Sequence, residues 1–382
     1  MKNVTSGEID VPSFDLGIDS QPNANSLILD DGLVLTEDDI KLFDDVVFSK
    51  AIIPIPFDIG DVKTPEQHKR VTRPAACLQS PFFKSFNSQS SGSNKVGHAK
   101  FEYKFCMDNL AILDIEVFDS WYNRGLRPGN KVKKFHKDDL PIVPSMDLRP
   151  VNIDSKMWWY TLKQVATPLA DQHIDAIFYF LRMGMKLSRS NETRSTTTDC
   201  YFDYKVRLLF DILTKHNNQF PKKNLLLLYI NGQRLQFNTN WGEVENVFIP
   251  IFMEKRAHWI LGHFDIVNWH LDIYNSACKM IKDFAVMDAI QPLLNIIPHL
   301  LRQSNVLKFE APDSHLSSRL CKGTPQQTNG LVDDCGIFIL KYAEYINQKK
   351  ISTMPNPLDT KLARHNMAVQ LYKYAIEKPD IQ

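Results

Sequence analysis

Asp334-Cys335-Gly336 stands out first, at the junction between a polar Gln/Asn/Gly loop and an apolar run from Ile337 to Ile346 that predicts a helix. A thiol in the first turn of a helix feels the partial positive charge there, which favours thiolate over thiol. Gln326 and Gln327 lie a few residues upstream and carry neutral amide donors of the kind that can serve an oxyanion. Such a cysteine needs a base, and the base needs a group that orients it. His258, at the start of His258-Trp259-Ile260-Leu261, is the candidate base. The segment from His258 to Ser276 reads as two strands joined by a turn near residues 265–268. Strand residues alternate faces, so only one of Asp272 and Asn275 can face His258. A carboxylate would stabilise an imidazolium; an amide would still fix the tautomer and ring plane.

The elements that must position these groups are legible in outline. Ile115, Phe118 and Tyr122 share a helical face before a stop at Gly125. Pro141, Pro144 and Pro150 mark irregular chain. Asp171 is placed to cap a helix with a stripe of Ile174, Ile177, Phe178 and Leu181. Residues 188–198 read as an exposed polar loop. Leu225 to Ile230 reads as a buried strand, and Asn231-Gly232 after it as a hairpin turn. Residues 247–252 read as another strand, with Pro250 suggesting an edge.

The 382 residues carry a net charge of +1, which argues against a dedicated nucleic-acid binder. The six cysteines are scattered without CxxC spacing, and His258, His263 and His270 fit no common ligand pattern, so no metal or cofactor is expected. Met1 to Glu8 lacks the apolar core of a signal peptide, and the purely apolar runs are too short to cross a bilayer, which predicts a soluble intracellular protein. Residues 1–62 hold three lysines against thirteen carboxylates and are expected to be largely disordered, apart from a candidate helix after Thr36. Residues 63–100, basic and then Ser/Asn/Gly-rich, read as a linker. Residues 101–382 read as one folded α+β domain.

His258-Trp259, Tyr274-Asn275-Ser276, Gln326-Gln327-Thr328-Asn329-Gly330 and Asp334-Cys335-Gly336 together resemble the ubiquitin-like-protein-specific cysteine proteases, the SUMO-specific, adenain-like family, and most closely its plant, mobile-element-associated branch. The resemblance implies a papain-like α+β fold with a central mixed sheet packed by helices. It implies a thiol protease or isopeptidase that cleaves after the C-terminal glycines of a SUMO-like modifier, in the nucleus or nucleocytoplasm. By the same resemblance, Cys335 is the nucleophile, His258 the base, Asn275 the orienter and Gln327 the oxyanion donor, joined by the Cys335 backbone N–H. Trp259 would cover the channel for the Gly-Gly tail, with Gly336 and Asp171 in the substrate groove. Three positions depart from the family pattern. Asn275 stands where an Asp is usual, Pro168 replaces a groove tryptophan, and two extra residues separate Gly330 from Cys335. That insertion predicts that Gln327 is displaced by about an ångström from an oxyanion at Cys335. A second reading is a weak or inactive protease-fold module that binds such a modifier.

Overall fold

The computed structural model describes residues 110–127, 134–135, 140–187, 194–215, 220–221, 224–307, 316–327 and 333–377. The acidic segment, its candidate helix and the linker lie outside these residues.

Helix α1 (Ile112–Asn123) buries Phe118 and Tyr122 and gives way at Gly125, whose φ of 82° suits a residue without Cβ. Two short antiparallel pairs follow, β1 (Leu126–Arg127) with β2 (Lys134–Phe135), and β3 (Pro141–Asp147) with β4 (Asn152–Ser155). The proline-rich stretch read as irregular thus forms a two-stranded ladder. Its register shifts between Pro141 and Met146, which accommodates Pro144 on a strand with a single neighbour. Ser155 closes that hairpin and caps α2 (Lys156–Lys163), its hydroxyl accepting from the Met157 N–H at 3.2 Å.

Helix α3 (Asp171–Leu187) buries the expected stripe. Its cap differs from the expectation. Ala170 is the capping residue: its carbonyl accepts from the His173 N–H, while its own N–H donates to His173 Nδ1 at 3.3 Å. Asp171 is therefore inside the first turn. Residues 195–197, read as loop, form β5 (Ser195–Thr197), and their side chains are buried. Thr196 bonds Asn238 and Thr197 accepts from Arg182, so the two threonines are buried on this edge strand because partners await them.

After α4 (Cys200–Lys215), the leucine run is not a strand but the short helix α5 (Leu226–Ile230). Asn224 starts it, its side chain accepting from the Leu226 N–H. Leucine, not branched at Cβ, favours helix over strand. Asn231-Gly232 then ends this helix instead of turning a hairpin. The Gly232 N–H returns to the Tyr229 carbonyl and the Gln233 N–H to that of Leu228, with Gly232 at φ 74°. That pair of bonds is a Schellman motif.

The remaining strands are β6 (Asn246–Met253), β7 (His258–Asp265), β8 (His270–Tyr274) and β9 (Ser317–Leu320). With β5 they form a mixed sheet in sequential order, antiparallel from β6 to β8 and parallel at both margins. The β5 ladder ends at Phe248, so Pro250 lies where β6 has only β7 beside it. Helices α4 and α6 (Asp283–Ser304) pack together and against β6. Helix α6 is long and apolar enough to cross a membrane, but Val286, Ile290, Leu293 and Ile297 are buried, as in a core helix. Helix α7 (Cys335–Asn347) packs on β7, sharing one buried cluster with α3 and α8 (Thr360–Glu377). Helices flanking a central mixed sheet give the α+β architecture expected.

Trp159 is central to the aromatic contacts joining α1, α2 and α8, lying near Phe118, Trp121 and Tyr372. Trp159→Ala should lower stability by about 3–5 kcal/mol, read as a fall in the urea midpoint, because the emptied volume cannot collapse.

Candidate active site

Cys335 is the first residue of α7 and only 2 % exposed. Two features fix that helix end. The first is Asp334, which does not cap α7 with its side chain. Its carboxylate turns inward and accepts from Arg364 Nε at 2.8 Å, from the Ala166 N–H at 3.2 Å and from the Thr360 hydroxyl at 2.9 Å. Arg364, on α8, is fully buried and also donates to the carbonyls of Thr161, Leu162, Thr167 and Asp333. The second is Gly336. A Cβ there would lie 3.0 Å from Leu169 Cβ and 3.2 Å from Ile174 Cδ1, so a side chain would require these neighbours to give by a few tenths of an ångström.

Ala257, at φ 47°, turns the chain from a short 3-10 segment into β7 and delivers His258 to its start. His258 is wholly buried. Its Nε2 lies 2.9 Å from Asn275 Oδ1. The same Oδ1 accepts from the Ala277 N–H at 2.8 Å, which establishes it as the oxygen of the amide. Nε2 must then carry the hydrogen, and Nδ1 is left as the basic nitrogen. Nδ1 is buried and, among the described residues, has no hydrogen-bond partner. Asp272 faces away, paired with Arg319 at 2.6 Å and 3.4 Å from His270 Nε2. The alternation argument is thereby resolved in favour of Asn275.

The Cys335 sulfur accepts from the Trp259 N–H at 3.4 Å, next in sequence to His258. A hydrogen bond between sulfur and imidazole, the expected geometry, is not formed. Burial pushes the Cys335 thiol pKa up to about 11, opposed by the Trp259 and Gly336 N–H groups and the Arg364 charge and reinforced by the Asp333 charge. The thiolate expected from the helix end is therefore not the resting form, because desolvation outweighs the dipole. Burial also lowers the His258 pKa from the ordinary histidine value, opposed by its bond to Asn275. The resting pair is a neutral thiol beside a neutral imidazole.

Gln327 comes to this site through the turn after β8. Its N–H donates to the Ser276 carbonyl and its Nε2 to Ser276 Oγ, both at 2.8 Å. Its Oε1 accepts from the Asp334 N–H at 3.3 Å. Gln327 thus sits against the residue preceding Cys335, while residues 328–332, which hold the two-residue insertion, lie outside the described residues. Trp259 is 3 % exposed, with its indole N–H on the Leu169 carbonyl at 3.0 Å. Its ring braces the site from within the core and does not line an open channel. Asp171 is not drawn to the thiol. Its carbonyl accepts from the Cys200 thiol, and burial raises its carboxyl pKa. Among the described residues, no group of His, Cys, Asp and Glu side chains is placed to hold a metal ion.

The model of the Ulp1 protease family, C-terminal catalytic domain, matches residues 169–378. The chain belongs to this family. Its domain is a cysteine-type peptidase domain with a Ulp1-like fold. No curated protein matches the sequence. Among solved structures, the yeast Ulp1 protease domain in complex with Smt3, the yeast ortholog of SUMO, is 15 % identical with a TM-score of 0.43, over 72 % of this chain and 100 % of that one. The Ulp1-like SUMO protease catalytic domain of Chaetomium thermophilum is 15 % identical with a TM-score of 0.40, over 70 % and 90 %. The Chlamydia trachomatis effector Cdu1, bound to ubiquitin, is 14 % identical with a TM-score of 0.28, over 53 % and 91 %. The family match begins at Leu169; α1, α2 and β3, which precede it, pack onto α8 inside it.

Arg364 was not singled out by the sequence, and Ser276 and Gln326 stood only within motifs, without the contacts they make to Gln327 and to the Asn275 turn. The one available signal was an arginine on the buried, apolar side of α8, beside Ala363, Met367 and Ala368. Arg364→Ala should destabilise the domain by about 3–5 kcal/mol in urea unfolding, since it leaves the Asp334 charge buried without a partner.

Proposed function

We propose that the chain hydrolyses the peptide or isopeptide bond that follows the C-terminal glycines of a SUMO-like modifier, maturing its precursor or releasing it from conjugates. Family membership supports the reaction class. The observation that carries the assignment to residues is the Asn275-oriented imidazole, whose buried, unpaired Nδ1 belongs to the residue adjoining the N–H that holds the Cys335 sulfur.

In this reading His258 Nδ1 takes the thiol proton as the Cys335 sulfur attacks the glycine carbonyl. The carbonyl electrons move to oxygen, where Gln327 and the Cys335 backbone N–H meet the charge. His258 returns the proton to the leaving amine, giving a thioester. Water, deprotonated by His258, then attacks the thioester and releases the glycine carboxylate and the thiol. Asn275 keeps the imidazole in the productive tautomer throughout. A nuclear or nucleocytoplasmic location and membership of the plant branch are inferred from the sequence resemblance.

A SUMO vinyl sulfone should label the wild type at Cys335 and leave Cys335→Ser unlabelled. Binding of the modifier without labelling would overturn the enzyme reading in favour of a binding module, the reading that the missing sulfur–imidazole hydrogen bond favours.

The base must be neutral, so kcat/KM should fall as pH drops through the His258 pKa. Burial places that limb below the ordinary histidine value of about 6.5. Asn275→Asp puts a carboxylate beside the imidazolium, favours the charged form and should move the limb to higher pH by about 1 unit or more. Activity near pH 8 should equal or exceed wild type. Asn275→Ala should lose more activity than Asp272→Ala; the reverse order would place the orienting role elsewhere.

A further inference from the structure

Asn275 and Ser276 are consecutive, and each serves a different partner. Asn275 holds the imidazole; Ser276 holds Gln327. A primary amide has one acceptor oxygen and two donor hydrogens. In Gln327 the oxygen accepts from the Asp334 N–H, and one Nε2 hydrogen goes to Ser276 Oγ. Among the described residues, one Nε2 hydrogen therefore remains for another acceptor. Ser276 is 1 % exposed, so its hydroxyl cannot exchange this contact for bulk water.

The turn does not depend on that hydroxyl. Gln326 bridges it, its Nε2 donating to the Asn275 carbonyl at 2.9 Å and its Oε1 accepting from the Cys278 N–H at 3.0 Å. The Cys278 thiol donates to the Asn275 carbonyl as well, and the Gln327 N–H reaches the Ser276 carbonyl through main-chain atoms alone. Loss of the hydroxyl thus frees the Gln327 amide while the His258–Asn275 contact keeps its supports.

We propose that Ser276 is the positioning residue of the oxyanion site: its hydroxyl fixes the Gln327 amide plane so that the second Nε2 hydrogen meets the substrate oxygen at Cys335. The proposal rests on the peptidase reading above and assigns to Ser276 a part distinct from the base and its orienter.

The test compares three measurements on the full chain: hydrolysis of a SUMO C-terminal fluorogenic amide, affinity for a SUMO C-terminal aldehyde, and chloroacetamide alkylation of Cys335 read by mass spectrometry. In the aldehyde adduct the sulfur bonds the carbonyl carbon and the electron pair moves to oxygen, which needs the oxyanion donors. In alkylation the sulfur displaces chloride and no oxyanion forms. Ser276→Ala should lower kcat by about 10-fold, part of the 10²–10³ that loss of an oxyanion donor costs, with KM unchanged. Aldehyde affinity should fall by a similar factor, while the alkylation rate and its pH profile hold. In a Gln327→Ala background, Ser276→Ala should have no further effect, and Ser276→Thr should keep most of the activity. Equal losses in both backgrounds, or a fall in alkylation without one in aldehyde affinity, would overturn the role of Ser276 while leaving the peptidase reading intact. A wild type that neither turns over the amide nor binds the aldehyde would overturn both.

Discussion

Arg364 has no exposed surface, and its guanidinium directs hydrogen bonds to Asp334 and to four backbone carbonyls. Those carbonyls come from the end of α2, the segment leading to α3 and the residue before Asp334. One side chain on α8 thus ties together three pieces of chain that would otherwise expose unsatisfied acceptors at a buried junction. Asp334 completes the knot by accepting from Ala166 and Thr360. The thiol is the very next residue. A buried ion pair of this kind contributes little net stability against an apolar replacement, but removing one partner strands a charge. What it secures is position: the first turn of α7 has one place to sit relative to α3 and α8.

Position comes at the expense of solvation. Cys335 and His258 are both buried, and burial opposes charge on each: the thiol is harder to deprotonate and the imidazole harder to protonate. The backbone donors of Trp259 and Gly336 offset part of this at sulfur but do not reverse it. The balance puts the resting proton on sulfur.

The sequence was informative where chemistry depends on residue type and poor where it depends on tertiary partners. Strand alternation narrowed the partner of His258 to one of Asp272 and Asn275 without choosing between them; the family resemblance pointed to Asn275, the residue that His258 contacts. The α3 stripe followed from helical period. The leucine run misled because continuous apolar character fits a strand or a buried helix equally. Asn231-Gly232 misled because the same dipeptide that turns a hairpin supplies the left-handed residue of a helix C-terminus. Ser195 to Thr197 looked like loop because the partners that make a buried polar strand tolerable, Asn238 and Arg182, are remote in sequence. Arg364 was invisible for the same reason: its carbonyl acceptors lie about two hundred residues away.

The neutral resting pair also gives Asn275 a physical rationale. A carboxylate at that buried position would itself need stabilising, and Arg319, which neutralises Asp272, belongs to the sheet residues paired away from His258. With the imidazole uncharged at rest, an amide oxygen supplies all the orientation required without burying a charge. On the proposed peptidase reading, the cost falls only at the moment His258 becomes imidazolium, when a carboxylate would help and an amide helps less. The turn that presents Asn275 also presents Ser276 to Gln327, and Gln326 stitches that turn on both sides. The contact to His258 and the contact to Gln327 therefore belong to one five-residue segment, Tyr274 to Cys278. The site relies on backbone-anchored dipoles more than on formal charge, which suits a reaction centre almost wholly withdrawn from water.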